Sequence, residues 1–161
     1  MNKLVTLEQL TNIINQARKN GKKIAWTNGC FDIIHAGHVD YLERSKAYGD
    51  FLVVGMNSDV SVKELKGDNR PVFSEKDRAK VLSSIVYLDY VVIFSDKTPI
   101  KMIEFIKPDY YIKGGDYTID TIDQDERKVV ESYGGEIVLL PMVEGVSSSI
   151  IVEKIKKLSD I

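Results

Sequence analysis

The fold of this chain is decided by residues 27–38, which read TNGCFDIIHAGH. An apolar run ends where this stretch begins, and a helical pattern begins where it ends. The stretch therefore predicts a strand, a turn that contains glycine, and the N-terminus of a helix. Free backbone N–H groups and the positive end of the helix dipole make such a junction a binding site for anions, most often phosphate.

Both histidines of the chain, His35 and His38, lie in this stretch. We expect them on one face of the first helical turn, with Gly37 between them leaving room for a ligand. Imidazoles at a helix N-terminus can donate hydrogen bonds to phosphate, and either ring can be cationic when a polyanion is bound. A single histidine would more often be structural, and the C-x4-H-x2-H spacing that starts at Cys30 matches no usual zinc pattern. The pair favours phosphoryl or nucleotidyl transfer.

Length and composition limit the classes of function. The 161 residues predict one domain over residues 1–161, with a leading helix in 1–21 and the core in 23–157. A net charge of −2 without a long basic run argues against a nucleic-acid partner. Short apolar runs and the absence of an apolar signal core predict a cytoplasmic protein with no membrane partner. The single cysteine excludes an internal disulfide and agrees with a reducing compartment.

Strand and helix patterns alternate along the whole chain. The predicted strands lie at residues 23–27, 51–56, 90–94, 110–112 and 136–140. The predicted helices lie at residues 6–21, 38–49, 74–85, 98–108, 125–133 and 147–158. This order predicts an α/β fold, a single Rossmann-like doubly wound domain with a five-stranded parallel sheet and helices on both faces. Ligands of such sheets bind beyond the carboxyl ends of the strands, where we expect residues 27–38, 113–117 and 141–149 to meet.

Residues 57–73 are polar and are predicted to form a long loop. Most such stretches are solvated connections, but this one carries Lys63, Lys66 and Arg70 close to the expected crevice. Long loops are often functional or disordered. We expect a loop that is mobile when the crevice is empty and closes over phosphates, with Lys66 making the contact.

Two further motifs follow predicted strands. Lys113, Gly114 and Asp116 belong to a KGGD turn, which is weak as a motif alone but in this position lets the backbone approach a base or ribose. Residues 145–149 read GVSSS at the start of the last helix. Simple N-capping needs only one serine, so three hydroxyls favour a second phosphate site.

The combined motifs resemble those of the cytidylyltransferase-like nucleotidyltransferase superfamily, in which HxGH is a variant of the HIGH motif. The resemblance rests on residues 27–38, on LKGDNRPV at 65–72, on IKGGDY at 112–117 and on GVSSS, and it covers about residues 23–157. Within the superfamily the chain looks most like the heptose 1-phosphate adenylyltransferases. In many bacteria that domain follows a sugar kinase, and the stand-alone form is expected here.

The resemblance implies roles for individual residues. Catalytic roles are implied for His35, His38 and Lys66. Nucleotide binding is implied for Thr27, Asn28, Gly29, Cys30, Phe31, Gly37, His38, Arg78, Lys113, Gly114, Asp116, Ser147, Ser148 and Ser149. Substrate binding is implied for Asp32, Lys63 and Arg70. Mg²⁺ is expected with ATP, and no protein ligand for it can be assigned.

The implied reaction transfers AMP from ATP to the phosphate of a sugar 1-phosphate and releases pyrophosphate, and the implied assembly is a homo-oligomer, most simply a dimer. Because the attacking phosphate is already ionised, catalysis needs alignment and charge neutralisation rather than a general base. One alternative is a glycerol-3-phosphate cytidylyltransferase, but that family carries arginine where this chain has Met142. Another is a nucleotide-binding regulatory module without turnover, against which the intact HxGH and serine segments argue.

Overall fold

Five parallel strands form the sheet of the computed structural model, which describes residues 3–141, 143, 145 and 147–158. The strands are β1 (Ile24–Gly29), β2 (Phe51–Asn57), β3 (Tyr90–Phe94), β4 (Tyr110–Gly114) and β5 (Glu136–Leu140). The helices are α1 (Leu7–Lys19), α2 (Ala36–Lys46), α3 (Asp59–Lys66), α4 (Glu75–Ser83), α5 (Ile100–Ile106), α6 (Gln124–Ser132) and α7 (Ser148–Leu158). Within these ranges, no helix is both long enough and apolar enough to cross a membrane.

The strand order β3-β2-β1-β4-β5 makes the sheet doubly wound. One apolar cluster packs α2 and α4 on the first face, and a second cluster packs α1, α5 and α6 on the other face. Strand order reverses between β1 and β4, so the ends of these two strands open a crevice at the switch point. The predicted fold class is confirmed.

Local sequence explains most of the element boundaries. Thr6 and Gln9 form the predicted capping box at the start of α1. β1 extends two residues beyond its prediction because Asn28 and Gly29 pair with β2. β4 extends to Gly114, which pairs with Leu140 of β5. Several motif residues therefore lie on strand ends, where hydrogen bonds of the sheet fix their backbone.

The prediction of one long loop over residues 57–73 was wrong, since residues 59–66 of that stretch form α3. The Ser58 side chain caps this helix by accepting from the Ser61 N–H, and Asp59 lies in the first turn, where an acidic group is favourable. Val62 is fully buried and fixes α3 against the protein. The polar composition concealed a short capped helix, so the connection without regular structure is only residues 67–74.

Candidate functional site

A cavity of about 570 Å³ opens at the carboxyl ends of β1, β2 and β4. Its lining includes residues from the β1–α2 connection, the end of α3, the end of β4 and the start of α7. The predicted site residues that line it are Asn28, Gly29, Cys30, Phe31, Asp32, His35, Gly37, His38, Lys66, Arg70, Lys113, Gly114, Ser148 and Ser149. Segments far apart in sequence thus meet at one crevice.

Three predicted site residues lie outside the cavity lining. Lys63 is exposed and pairs with Asp68 at 3.2 Å. Asp116 is also exposed. Ser147 accepts a hydrogen bond from the Ile150 N–H, so it behaves as the ordinary helix cap. The serine segment therefore brings two of its three hydroxyls to the cavity.

Thr27 lies behind the cavity wall and is buried. Its hydroxyl is 2.7 Å from the hydroxyl of Tyr41, which donates its proton to the carbonyl of Ile112. Thr27 is therefore the donor to Tyr41, since a phenol carries only one proton. Burial raises the pKa of Tyr41 to about 12, which keeps that proton in place. In this arrangement Thr27 positions Tyr41, which lines the cavity.

Arg78, expected to contact phosphates, is fully buried outside the cavity. Its guanidinium donates to the carbonyls of Cys30 and Phe73 and to the carboxylate of Asp59. These bonds join α4 to the β1–α2 connection and to the start of α3. Arg78 thus holds the cavity wall together, a role that the planar five-donor group of arginine suits well.

The histidine side of the cavity consists of His35, His38, Ser148 and Ser149. His35 is the N-cap of α2, and its backbone N–H donates to Nδ1 of His38 over 3.4 Å. The two ring centres are 4.0 Å apart. Because Nδ1 of His38 accepts, Nε2 carries the proton of the neutral ring and is a hydrogen-bond donor. The Ser148 hydroxyl donates to the Ile33 carbonyl and so ties α7 to this connection.

The pKa values of both histidines are lowered, which favours the neutral rings at physiological pH. Burial, together with the neighbouring His35, lowers the pKa of His38 to about 4. Burial also lowers the pKa of His35. Nδ1 of His35 is buried and has no hydrogen-bond partner in the part of the chain that the structure describes. A buried polar atom without a partner is costly, which is typical of a site that a ligand completes.

The glutamate side of the cavity consists of Asn28, Tyr111, Lys113 and Glu126. The Glu126 carboxylate is buried, and its Oε2 accepts from the Tyr111 hydroxyl at 2.6 Å and from Lys113 Nζ at 2.7 Å. The Tyr111 hydroxyl also lies 3.2 Å from the side-chain oxygen of Asn28. Burial, reinforced by the Glu126 charge, raises the pKa of Tyr111 well above its usual value. The four side chains form one connected polar network.

Cations occupy the rim between α3 and α4. Arg70 pairs with Asp32 at 2.6 Å, and Asp32 also accepts from the backbone N–H groups of Val72 and Phe73. Asp32 therefore anchors the connection after α3 to the motif stretch. Lys66 lies at the last position of α3 and lines the cavity, with no ion pair to another described residue.

Sequence reasoning missed several lining residues. These are Tyr41, Asn57, Val62, Leu65, Lys97, Pro99, Tyr117 and Glu126. Glu126 stands in the charged run of residues 125–128, DERK, where nothing distinguishes it from solvated neighbours. Its burial depends on where α6 packs, which local sequence does not specify.

The described residues contain no group of three or more side chains placed to hold a metal ion. The carboxylates of Asp32 and Glu126 are both engaged by cations. Burial raises the pKa of the Cys30 thiol, which disfavours the thiolate that zinc requires. These donors do not fit a protein-held metal centre. Met142, Glu144 and Val146, which the sequence motifs included, lie outside the described residues.

Comparison with known proteins gives a consistent result. A family model described as cytidylyltransferase-like matches residues 26–154. The bifunctional protein HldE of Geobacter metallireducens is 48% identical over 153 residues, which cover 95% of this chain and 31% of that protein. HldE of Helicobacter pylori is 46% identical over 155 residues, 96% of this chain and 31% of that protein. The chain thus spans about a third of the length of these relatives.

Solved structures share the fold. The lipopolysaccharide core biosynthesis protein of Thermoplasma volcanium superposes with a TM-score of 0.62 at 28% identity, covering 76% of this chain and 98% of that one. Pantoate-beta-alanine ligase of Francisella tularensis, solved with an ATP analogue and beta-alanine, superposes with a TM-score of 0.62. Its identity is 13%, over 100% of this chain and 79% of that one, so this likeness concerns the fold alone.

Proposed function

This chain belongs to the cytidylyltransferase-like family, and we propose that it transfers AMP from ATP to a heptose 1-phosphate. The products are ADP-heptose and pyrophosphate. The family motifs support this proposal, as does similarity to HldE proteins over 95% of the chain. The relative named for lipopolysaccharide core biosynthesis agrees with a sugar substrate.

The reaction is an in-line displacement at the α-phosphorus of ATP. A phosphate oxygen of the sugar 1-phosphate forms the new bond to this phosphorus, and the bond to the bridging oxygen breaks as pyrophosphate leaves. The nucleophile is ionised at neutral pH, so the protein has to align the reactants and neutralise the charge that develops on the phosphoryl oxygens.

One observation carries the proposal most directly: two neutral histidines at the start of α2 line the same cavity as the start of α7. Nε2 of His38 and the free N–H groups of α2 are preorganised donors for phosphoryl oxygens. Lys66 supplies a mobile positive charge for the leaving pyrophosphate. A polyphosphate also raises the pKa of a neighbouring imidazole, so binding can convert these neutral donors into cations.

We expect Mg²⁺ to accompany ATP, bound by the phosphates rather than by a protein centre. Magnesium in phosphoryl-transfer sites keeps several water ligands and relies on the substrate phosphates, so it needs no all-protein cage. No step of the mechanism above depends on a protein-bound metal. A cytoplasmic location and a homodimer remain predictions, and light scattering of the purified chain tests the second.

A substrate panel tests the proposed function. Purified protein is supplied with ATP or CTP and with heptose 1-phosphate, hexose 1-phosphates or glycerol 3-phosphate, and pyrophosphate release is followed. We expect the highest kcat/KM with ATP and heptose 1-phosphate. Equal or better turnover of CTP with glycerol 3-phosphate would assign the chain to the cytidylyltransferases. Nucleotide binding without turnover of any acceptor would instead identify a regulatory module.

A further inference from the structure

The buried carboxylate of Glu126 is unexpected in a cavity that binds polyanions. Glu126 is 4% exposed and still lines the cavity wall. A carboxylate beside a bound triphosphate would repel it, and the low local dielectric would strengthen that repulsion. The mechanism proposed above uses no acid or base that could explain the group. Its position therefore indicates a part of the cavity that receives something other than phosphate.

The strand alternation separates Glu126 from the histidine side. Thr27 contacts Tyr41 of α2, so the next residue of β1, Asn28, points to the opposite face of the sheet. On β4, Tyr111 packs in the apolar cluster of α1, α5 and α6, and Lys113 shares its face. The glutamate side therefore occupies the α5–α6 half of the crevice, whereas the histidines belong to the α2 half.

The bonding of Glu126 fits recognition of neutral donors. Oε2 is occupied by Tyr111 and Lys113, which fix the plane of the carboxylate and balance its charge. An ionised carboxylate offers about four acceptor sites, so acceptor capacity remains for a ligand. Neighbouring hydroxyl groups of a sugar are neutral hydrogen-bond donors. A carboxylate whose orientation is fixed by other contacts can recognise their positions.

We propose that Glu126 contacts hydroxyl groups of the sugar acceptor and determines specificity for a polyhydroxylated substrate. This inference rests on the proposed function, because it takes the α2 half of the cavity for ATP and the α5–α6 half for the sugar. It also places Asn28 and Lys113 beside the acceptor rather than beside the nucleotide. Lys113 then serves as the counter-charge of Glu126 and as a support for its orientation.

The test compares Glu126→Gln with Glu131→Gln, an exposed residue of the same helix that pairs with Arg127. Glu126→Gln keeps the size of the side chain and removes its charge. We expect the KM for heptose 1-phosphate to rise about 10- to 100-fold, the typical value of a hydrogen bond to a charged group. The KM for ATP should stay within about twofold, and Glu131→Gln should match the wild type in both.

A panel of monodeoxy sugar 1-phosphates separates contact from structural support. If Glu126 accepts a hydrogen bond from a sugar hydroxyl, removing that hydroxyl should raise the KM of the wild type for the acceptor. The same removal should change the KM of Glu126→Gln little, because that variant has already lost the contact. A purely structural role would penalise every acceptor equally. Equal penalties across the panel, or a rise in the KM for ATP instead, would overturn the proposal.

A binding measurement separates the role of Glu126 in sugar recognition from the proposed transfer of AMP. Calorimetric titration of heptose 1-phosphate into the wild type and both variants needs no turnover. Weaker binding to Glu126→Gln alone supports the assignment even if no nucleotide transfer is found, and equal binding to all three proteins refutes it. If Glu126→Gln does not fold, Tyr111→Phe takes its place, since it retains the carboxylate and removes one supporting bond. Tyr111→Phe should weaken binding of the sugar 1-phosphate and leave binding of ATP unchanged. Weaker binding of ATP with unchanged binding of the sugar 1-phosphate counts against the proposal.

Discussion

The histidine side and the glutamate side line one cavity but are built in opposite ways. On the histidine side the rings are uncharged, and Nδ1 of His35 has no partner among the described residues. On the glutamate side, Glu126 is bound by a phenol and an ammonium group, and the phenol also contacts Asn28. The histidine side leaves a buried polar atom without a partner among the described residues, whereas the glutamate side already has its charge balanced.

Under the proposed function, the two sides would meet different ligands. A triphosphate brings several negative charges, so neutral imidazoles and free N–H groups can accept it without first giving up an internal ion pair. A sugar brings hydroxyl groups, which need acceptors of fixed orientation more than they need charge. Variants on the histidine side should therefore change catalysis, whereas those on the glutamate side should change acceptor choice.

The largest expected effect follows His38→Ala on the histidine side. Loss of one preorganised donor to the charge of the transition state should lower kcat by about 100- to 1,000-fold. Circular dichroism and the melting temperature should show that the fold survives. Glu43→Ala, an exposed substitution on the same helix, is the control and should retain activity. Near-wild-type kcat in His38→Ala would remove this residue from the mechanism.

The lowered pKa of His38 also predicts how stability depends on pH. The folded-state value is about 4 and the ordinary value is 6.5, so between them the unfolded chain binds a proton that the folded protein does not. Stability from this group is present above pH 6.5 and is lost as the pH falls towards 4. Between pH 6.5 and pH 4, the free energy of unfolding should therefore fall by about 2 to 3 kcal/mol less in His38→Gln than in the wild type. Urea unfolding of both proteins at pH 6.5 and at pH 4 measures this difference. An equal loss of stability in the two proteins would contradict the burial of the His38 ring.

A smaller effect is expected at the rim, where two lysines of α3 offer a matched pair. Lys66 lines the cavity, whereas Lys63 is exposed and pairs with Asp68. Lys66→Ala should weaken ATP binding and lower kcat/KM about 10-fold, without lowering the melting temperature of the empty protein. Lys63→Ala should do neither. Identical kinetics of the two variants would show that Lys66 is only a solvated residue.

Much of the fold was predictable because local signals agreed with one another. The capping box of Thr6 and the apolar run of β2 each specify one structure, and β3 and β5 have the predicted boundaries. The exception was α3. The eight residues of α3, DVSVKELK, are compatible with both a loop and a short helix, and burial of Val62 decides between them. That burial is a tertiary contact, which propensity does not contain.

The part of the candidate site that lies in a continuous sequence motif was predictable. The part that depends on the packing of separate helices was not. Residues 27–38 supplied His35 and His38 because their spacing carries the chemistry. Arg78 could not be assigned in this way. Its local sequence does not distinguish an arginine that faces a phosphate crevice from one that is buried against backbone carbonyls. Glu126 was missed for the converse reason, because only the packing of α6 turns it from solvent to the cavity.

Attack on the α-phosphorus of ATP by a sugar 1-phosphate can be followed by phosphorus NMR of a single reaction mixture. ATP and heptose 1-phosphate are incubated with the protein, and all phosphorus signals are followed together. We expect the signals of pyrophosphate and of the diphosphate of ADP-heptose to rise in equal amounts. Appearance of ADP with a doubly phosphorylated sugar would show attack at the γ-phosphorus and contradict this expectation, as would unchanged spectra of both substrates.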